Sequence, residues 1–329
     1  MKMRFLPTTC FFLAAFLFSC TAGISQKTDS RKSPEMLSAK RLTARDSLRI
    51  RRGLLKQINR DRQRHGLSPV KLDLPASRVG DRHCREMARE KYMSHWNLQG
   101  LKPYHRYAFA GGRDHISENL YSATVWGQTF TCTVSDISGK MRRAEQSFMS
   151  EKPPYDGHRK NILESYHTHV GIGFACTNDE FRMAEEFVDR YVILDKTGTK
   201  IYRGEKKRIS GKILRHRLYP IMAVVNYEPV PARKSKKELK KTGPYLDGSR
   251  YSFQTISAWE MSFYPKSRRF SFTLDFAKAR AGIYYMILYL DRKIDQSLYQ
   301  NSGLKKRAGT FRLSTRHAIP ATGVVFRLE

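Results

Sequence analysis

Two histidines and two glutamates stand in short segments spread along the middle of the chain. His95 lies in Met93-Ser94-His95-Trp96, and Glu118 in Ile116-Ser117-Glu118-Asn119-Leu120. Glu151 lies in Ser150-Glu151-Lys152-Pro153-Pro154-Tyr155, and His158 in Gly157-His158-Arg159-Lys160-Asn161-Ile162-Leu163. The run His169-Val170-Gly171-Ile172-Gly173 completes the series. A neutral imidazole is a good ligand for zinc or copper. Two of them leave coordination positions open for water, which a nearby Glu can orient or deprotonate. His95 and His158 are therefore candidate metal ligands, with Glu118 and Glu151 nearby as candidate bases of a metal-assisted hydrolase. A pair of carboxylates also suits glycoside hydrolysis, a reading that turns on their separation. Ser94 and Ser150 are weaker nucleophiles, since neither sits in a nucleophile elbow. The plain alternative is that the His–Glu pairs are hydrogen-bonded struts bracing a loop. Each segment alone is unspecific, since a histidine at a helix end is more often a cap.

Taken together and in this order, the segments resemble the CAP superfamily (SCP/TAPS), which includes cysteine-rich secretory, antigen 5 and pathogenesis-related class 1 proteins. The resemblance extends upstream to Ile58-Asn59 with Arg62, to Gly66-Leu67 and Leu72, and to Met87-Ala88, covering about 46–192. It implies an α-β-α sandwich with a cleft lined by two His and two Glu. By motif these are His95, Glu118, Glu151 and His158, all present here. It also implies metal binding in some members and sterol or fatty-acid binding in some eukaryotic ones. Two classes of function follow. In one, the cleft holds zinc or another divalent cation, with or without hydrolysis. In the other, the protein is a lipid-, sterol- or glycan-binding or adhesive module. Trp96, Tyr104, Tyr107, Phe109 and Trp126 are available to line a groove, although such residues are more often core.

The elements that must position these residues are readable from periodicity. Leu48, Leu54, Leu55 and Ile58 recur at helical spacing from Ala44 to about His65, and Gly66 stops the helix. A second helix is expected from Pro75 or Ala76 to about Met93, so that His95 closes it. Residues 97–114 have no sustained period and read as a long ordered loop. A helix from about Gly139 to Met149 ends before Lys152-Pro153-Pro154. Asn161 to Ser165 reads as a helical turn. Strands from Thr168 to Cys176 and from Met183 to Val192 flank Thr177-Asn178-Asp179-Glu180, which suits the turn of a hairpin.

After Val192 the pattern changes to short strand-like runs: Ile209–Leu214, Ile221–Tyr227, Tyr251–Ile256, Phe270–Phe276, Gly282–Leu290, Thr310–Leu313 and Gly323–Leu328. Such spacing suggests a β-sandwich. Asp195–Lys207 reads as an interdomain link, and Arg233–Lys241 as a charged loop inside the second domain. The expected fold is thus α+β: a CAP-type domain over 46–192, then an all-β sandwich-like domain over 193–329.

The N-terminus reads as an export signal over 1–19. Lys2 and Arg4 precede the apolar Phe11–Phe18, which is too short to span a bilayer. Leu17-Phe18-Ser19-Cys20 resembles a bacterial lipobox, which makes Cys20 the expected lipidated residue. The alternative is cleavage near Gly23 or Ser25 and free secretion. Residues 20–45 read as a polar tether. The protein is therefore expected in the cell envelope or outside it, attached to membrane only through an N-terminal lipid. Of the five cysteines, Cys84, Cys132 and Cys176 belong to the folded part. An odd number permits at most one internal disulfide, for which Cys132–Cys176 is the choice because Cys84 falls in a helix, and three buried thiols are an equal alternative. The formal charge is +31. An exported chain meets anionic glycans and lipid heads rather than nucleic acid, so no nucleic-acid partner is expected.

Overall fold

Local capping decides where the first helices begin. The Thr43 hydroxyl accepts the Asp46 N–H while the Asp46 carboxylate accepts from Thr43, opening α1 (Ala44–Arg64). Lys71–Leu72 forms a short strand, β1. Asp73 then caps α2 (Leu74–Glu90), accepting the Ala76 N–H at 2.7 Å. Lys91 adopts a left-handed conformation and ends α2. The helix therefore stops earlier than its apolar pattern suggests, and His95 lies in the turn beyond it. The computed structural model describes residues 42–246, 251–301 and 318–328. Cys20, the signal run, most of the tether and the expected strand Thr310–Leu313 lie outside these residues.

The stretch expected to be a loop contains α3 (Pro103–Phe109), started by its proline, and leads directly into β2 (His115–Thr124). Thr133 caps α4 (Val134–Ser150), several residues before its apolar face becomes regular. The next helix, α5, covers Gly157–Ile162, so His158 sits in its first turn. β3 (His169–Cys176) and β4 (Glu180–Asp189) form the expected hairpin.

These strands make one sheet in the order β1-β3-β4-β2, with β1 parallel to β3 and the rest antiparallel. Alternation along β3 assigns its faces. Val170, Ile172 and Phe174 join Ile50, Leu54 and Ile58 of α1 and Ile137, Met141 and Phe148 of α4 in one core. Gly171 and Gly173 face α2. A Cβ on Gly173 would stand 2.3 Å from the Gly80 carbonyl carbon, and one on Gly171 2.5 Å from Ala76 Cβ. The glycines let the helix backbone approach the sheet closely. The result is helix, sheet and helix in three layers, the α-β-α arrangement that the resemblance implies.

The rest of the chain adds two further sheets. One has the order β5-β6-β10-β9, formed by Val192–Leu194, Lys206–Ile213, Arg269–Asp275 and Ser262–Tyr264 respectively. The other joins β7 (Tyr219–Glu228), β8 (Ser252–Ser257), β11 (Gly282–Asp291), β12 (Ile319–Pro320) and β13 (Val324–Leu328). Ile209, Phe270, Phe272 and Leu274 from the first meet Val225, Tyr284, Met286 and Phe326 from the second in a shared core. This is a β-sandwich. The segment expected as a link is partly built in: Lys206 and Lys207 belong to β6, and the Ile201 N–H bonds the Arg327 carbonyl.

β11 is buried on both faces, which accounts for its unbroken apolar run Gly282–Leu290. Its second face, Ile283, Tyr285 and Ile287, packs with Tyr104 and Tyr107 of α3 and Val79 of α2. Tyr104 stacks on Tyr285 with ring centres 4.2 Å apart. The charged stretch Arg233–Lys241 also reaches back to the three-layer part rather than looping from the sandwich. It forms the short helix α6 (Lys236–Leu239), whose Leu239 is fully buried among Met87, Tyr92 and Leu120.

Cys132 and Cys176 are joined by a disulfide with Cα atoms 5.7 Å apart, and Cys84 is a buried free thiol. The bridge closes a segment spanning 44 positions. Replacing both cysteines by alanine should lower the free energy of urea unfolding by about 2–4 kcal/mol. Wild-type protein treated with dithiothreitol should lose a similar amount.

Candidate functional site

Glu118 enters the site from the middle of β2 with its side chain fully buried. One carboxylate oxygen faces His95 Nδ1 at 2.8 Å, and the other accepts from Arg106 Nη2. Arg106 comes from α3 and also donates from Nη1 to the His95 carbonyl at 2.5 Å and the Leu101 carbonyl at 3.2 Å. One guanidinium thus holds both the carboxylate and the backbone of the histidine that binds it. Burial works against charge on Glu118, but Arg106 and the His95 hydrogen bond outweigh it and hold the carboxyl at about 2. Glu186 sits directly opposite on β4. Burial, reinforced by the Glu118 charge, pushes its carboxyl well up, so Glu186 is the neutral member of the pair.

The second pair is built around the break between α4 and α5. Glu151 is the C-terminal cap residue of α4. Its Oε1 lies 2.5 Å from His158 Nδ1, and its Oε2 accepts the His158 N–H at 3.0 Å and the Arg159 N–H at 3.3 Å. The His158 ring stacks on Phe148 at 4.4 Å. This pair is wetter than the first: the His158 and Glu151 side chains are 35% and 21% exposed, against 18% and 0% for His95 and Glu118.

The four residues line one cleft of about 670 Å³. Among the described residues, neither His95 Nε2 nor His158 Nε2 has a hydrogen-bond partner. No three His, Cys, Asp or Glu side chains among those residues form a metal-holding group. His95 and His158 therefore supply at most a two-nitrogen donor set, with both carboxylates engaged behind the rings.

Asn119 and Asn161 form the floor, and their orientation follows from one carbonyl. Asn119 Nδ2 donates to the His158 carbonyl, which can only accept. Its Oδ1 therefore faces Asn161 Nδ2, at 2.9 Å. Asn161 Oδ1 then receives Ser117 Oγ–H at 2.7 Å and His167 Nε2–H at 3.1 Å. The other nitrogen of His167 meets Asp189, whose second oxygen meets His115 Nδ1, both at 2.6 Å. His115 and His167 are thus buried behind the floor, and His169 bonds Thr168 instead.

The opposite wall comes from the later part of the chain. Thr242, Gly243, Pro244 and Tyr245 line the cleft. Ser94 and Thr242 share a hydroxyl hydrogen bond of 2.5 Å. The Glu118 N–H donates to Tyr245 Oη at 2.9 Å, and the Tyr245 ring lies 4.8 Å from His95. Sequence motifs missed this wall, along with Arg106. None of the aromatic residues put forward to line a groove lines this cleft. Tyr104 and Tyr107 are buried beneath β11, Trp96 packs with the core around Leu239, and Phe109 and Trp126 are exposed away from the cleft. Tyr155 lines it instead and is largely exposed.

Beneath the floor, Asn119 Nδ2 also donates to Glu185, which lies against Glu145 in the interior. Burial raises the Glu185 carboxyl from 4.5 to about 7. Between those values the folded protein keeps a proton that the unfolded chain releases. The contribution of Glu185 to stability should therefore fall as pH rises through that window. Glu185→Gln should make the fall of the melting temperature between pH 5 and 8 shallower, removing on the order of 3 kcal/mol of it at most.

The model of the cysteine-rich secretory protein (CAP) family matches residues 55–192. Among solved structures, an extracellular protein containing an SCP domain from Bacillus anthracis is 23% identical, over 45% of this chain and 44% of that one, with a TM-score of 0.33. An outer surface protein from Borrelia burgdorferi is 16% identical, over 43% of this chain and 93% of that one, with a TM-score of 0.34. Scores of this size carry no argument of their own. The chain spans less than half of the Bacillus protein. No curated protein matches it. The family match and the three-layer architecture together make residues 55–192 a CAP domain.

Proposed function

We propose that this CAP-domain protein is exported, is held at a membrane by lipid on Cys20, and uses the His95/His158 cleft as a weak, open binding site for a divalent metal ion. The observation that carries the metal reading is the pairing of both imidazoles. Each places Nδ1 against a carboxylate and leaves Nε2 without a partner among the described residues, in the same cleft. An imidazole whose Nδ1–H donates to a carboxylate carries its free lone pair on Nε2, the form a metal ligand requires. Two such nitrogens suit zinc or copper, with solvent completing the shell. A bound ion would supply Lewis acidity and acidify a water molecule.

The two glutamates serve as partners of the histidines rather than as free bases. Glu118 spends both oxygens on His95 and Arg106 inside the protein. Glu151 spends its own on His158 and the first turn of α5. Both glycoside hydrolysis and base-assisted hydrolysis need a carboxylate that reaches substrate. Binding is therefore the reading this geometry favours over hydrolysis. Tyr155 at the cleft mouth supports a second reading, a module that holds a ring-shaped sugar or lipid group without metal.

Saturating zinc should raise the melting temperature of the protein by about 5 °C. It should leave a His95→Gln/His158→Gln double variant unchanged. A wild type indifferent to zinc and copper in both melting and calorimetry would remove the metal reading. Cys20→Ser should move the protein from the membrane fraction to the soluble one, measured by blotting fractionated cells of an expressing strain.

A further inference from the structure

The outer face of the β5-β6-β10-β9 sheet carries a pattern that the cleft does not explain. Register places Ile193, Lys212, Arg269 and Tyr264 in one row across its strands. Ser210, Ser271 and Ser262 make the next row, then Arg208 with Thr273, and Lys206 with Asp275. The inward residues between them, Ile209, Phe270, Phe272 and Leu274, are core. The solvent face is thus mostly cations and hydroxyls, with one carboxylate, Asp275, at its far end. Along β6, Lys206, Arg208 and Lys212 cover roughly 20 Å at the rise of an extended strand.

Two features set this face apart from an ordinary solvated one. Lys212 and Arg269 are direct cross-strand partners, and like charges so placed repel. Arg269 forms an ion pair with Asp195 that is about half exposed on both sides, and Lys206 stands opposite Asp275 at the far end of the face, while neither Arg208 nor Lys212 has an ion pair among the described residues. The row also opens into a cavity of about 480 Å³ lined by Lys212, His216, Lys266, Ser267, Arg268 and Arg269 among others, with no carboxylate in its lining. Arg268 is 7% exposed, and among the described residues it has no ion pair. Its guanidinium lies over the Tyr219 and Phe263 rings at 5.2 and 5.0 Å and donates to the Arg215 and Leu218 carbonyls, while its buried Nε has no partner among the described residues. Burial without a neighbouring carboxylate lowers its basicity. A left-handed φ of 61° at Arg268 turns this side chain inward and Arg269 outward.

We propose that this sheet face and its terminal cavity bind an anionic polysaccharide. The cavity takes an acidic group, and the stripe along β6 follows the chain. Cations alone would suit any polyanion. The interleaved Ser271, Ser262 and Thr273 hydroxyls match the hydrogen-bonding groups of sugars, while Ser210 donates to Asp195. Tyr264, 51% exposed at the end of the first row, offers a ring for stacking. The extended row along β6 suits a linear chain, and a comparison with vesicles separates it from a membrane surface. The site is remote from the His/Glu cleft in sequence and shares no lining residue with it.

The test is calorimetry of the full chain with polygalacturonate, with neutral dextran and anionic phosphatidylglycerol vesicles as comparisons. Polygalacturonate should bind and dextran should not. Arg208→Glu/Lys212→Glu/Lys266→Glu should weaken binding about tenfold or more. The same charge change on α1, Arg52→Glu/Lys56→Glu/Arg60→Glu, should weaken it far less. Equal loss in both variants would reduce the effect to net charge and overturn the proposal. So would vesicle binding that is abolished by the sheet substitutions while polygalacturonate binding survives. An unchanged circular dichroism spectrum and melting temperature of the sheet variant without ligand show that the protein is folded and keep this test separate from that of the cleft.

Discussion

An ionised carboxylate with no solvent contact has to be answered where it stands, and Glu118 is such a group. A buried charge left unpaired costs several kcal/mol. Here Arg106 and His95 take one oxygen each. Much of the local structure follows from that requirement. Arg106 must reach β2 from outside it, so residues 97–114 have to be ordered around the short helix α3 rather than form a free loop. Because the same guanidinium also binds the His95 and Leu101 carbonyls, ordering α3 fixes the turn that carries the histidine. Glu186 pays in turn by staying neutral, since two adjacent buried carboxylates cannot both ionise.

A seven-residue helix cannot hold such a position unaided. The outer side of α3 offers Tyr104 and Tyr107, and the sandwich supplies Ile283, Tyr285 and Ile287 to cover them. Polar contacts join in: Tyr104 Oη and Lys102 Nζ both donate to Glu228 of β7. Leu239 inserts at a second point, and the segment after it becomes the cleft wall that ends in Tyr245. The C-terminal part is therefore a support for the site and part of its surface, rather than an appendage to it.

The motif order made His95, Glu118, Glu151 and His158 legible as one group, because their segments are distinctive when read in series. Helix periods and the hairpin were legible for the usual reason, an apolar face repeating at 3.6 or 2 residues. What escaped has physical causes. Arg106 stands in a stretch too short and too aromatic to show a period. β2 hides its strand character behind Glu118 and Asn119, buried polar residues whose partners lie far away in sequence. Thr133 and Asp73 move helix starts by single hydroxyl or carboxylate bonds, which apolar periodicity does not register. The unbroken Gly282–Leu290 run did hold a readable signal. An antiparallel strand without alternation must be covered on both faces, and the second cover could only be the preceding domain.

The two His–Glu pairs are chemically alike and physically unequal, and the inequality bears on how the cleft works. Glu118 is buried and clamped by an arginine, so its hold on His95 is little affected by salt. Glu151 and His158 are partly exposed at a helix junction, where water competes for the hydrogen bond between them. Yet the hydrogen-bond floor links them: the His158 carbonyl orients Asn119, which orients Asn161. Asn119 in turn neighbours Glu118 on β2, where it bonds the buried Glu185. One wall is thus fixed by the interior, and the other is set against it by a directional chain of amides. A ligand bridging both histidines would add its main constraint at His158, the less firmly held side. Preorganisation already supplies the rest of the geometry at His95.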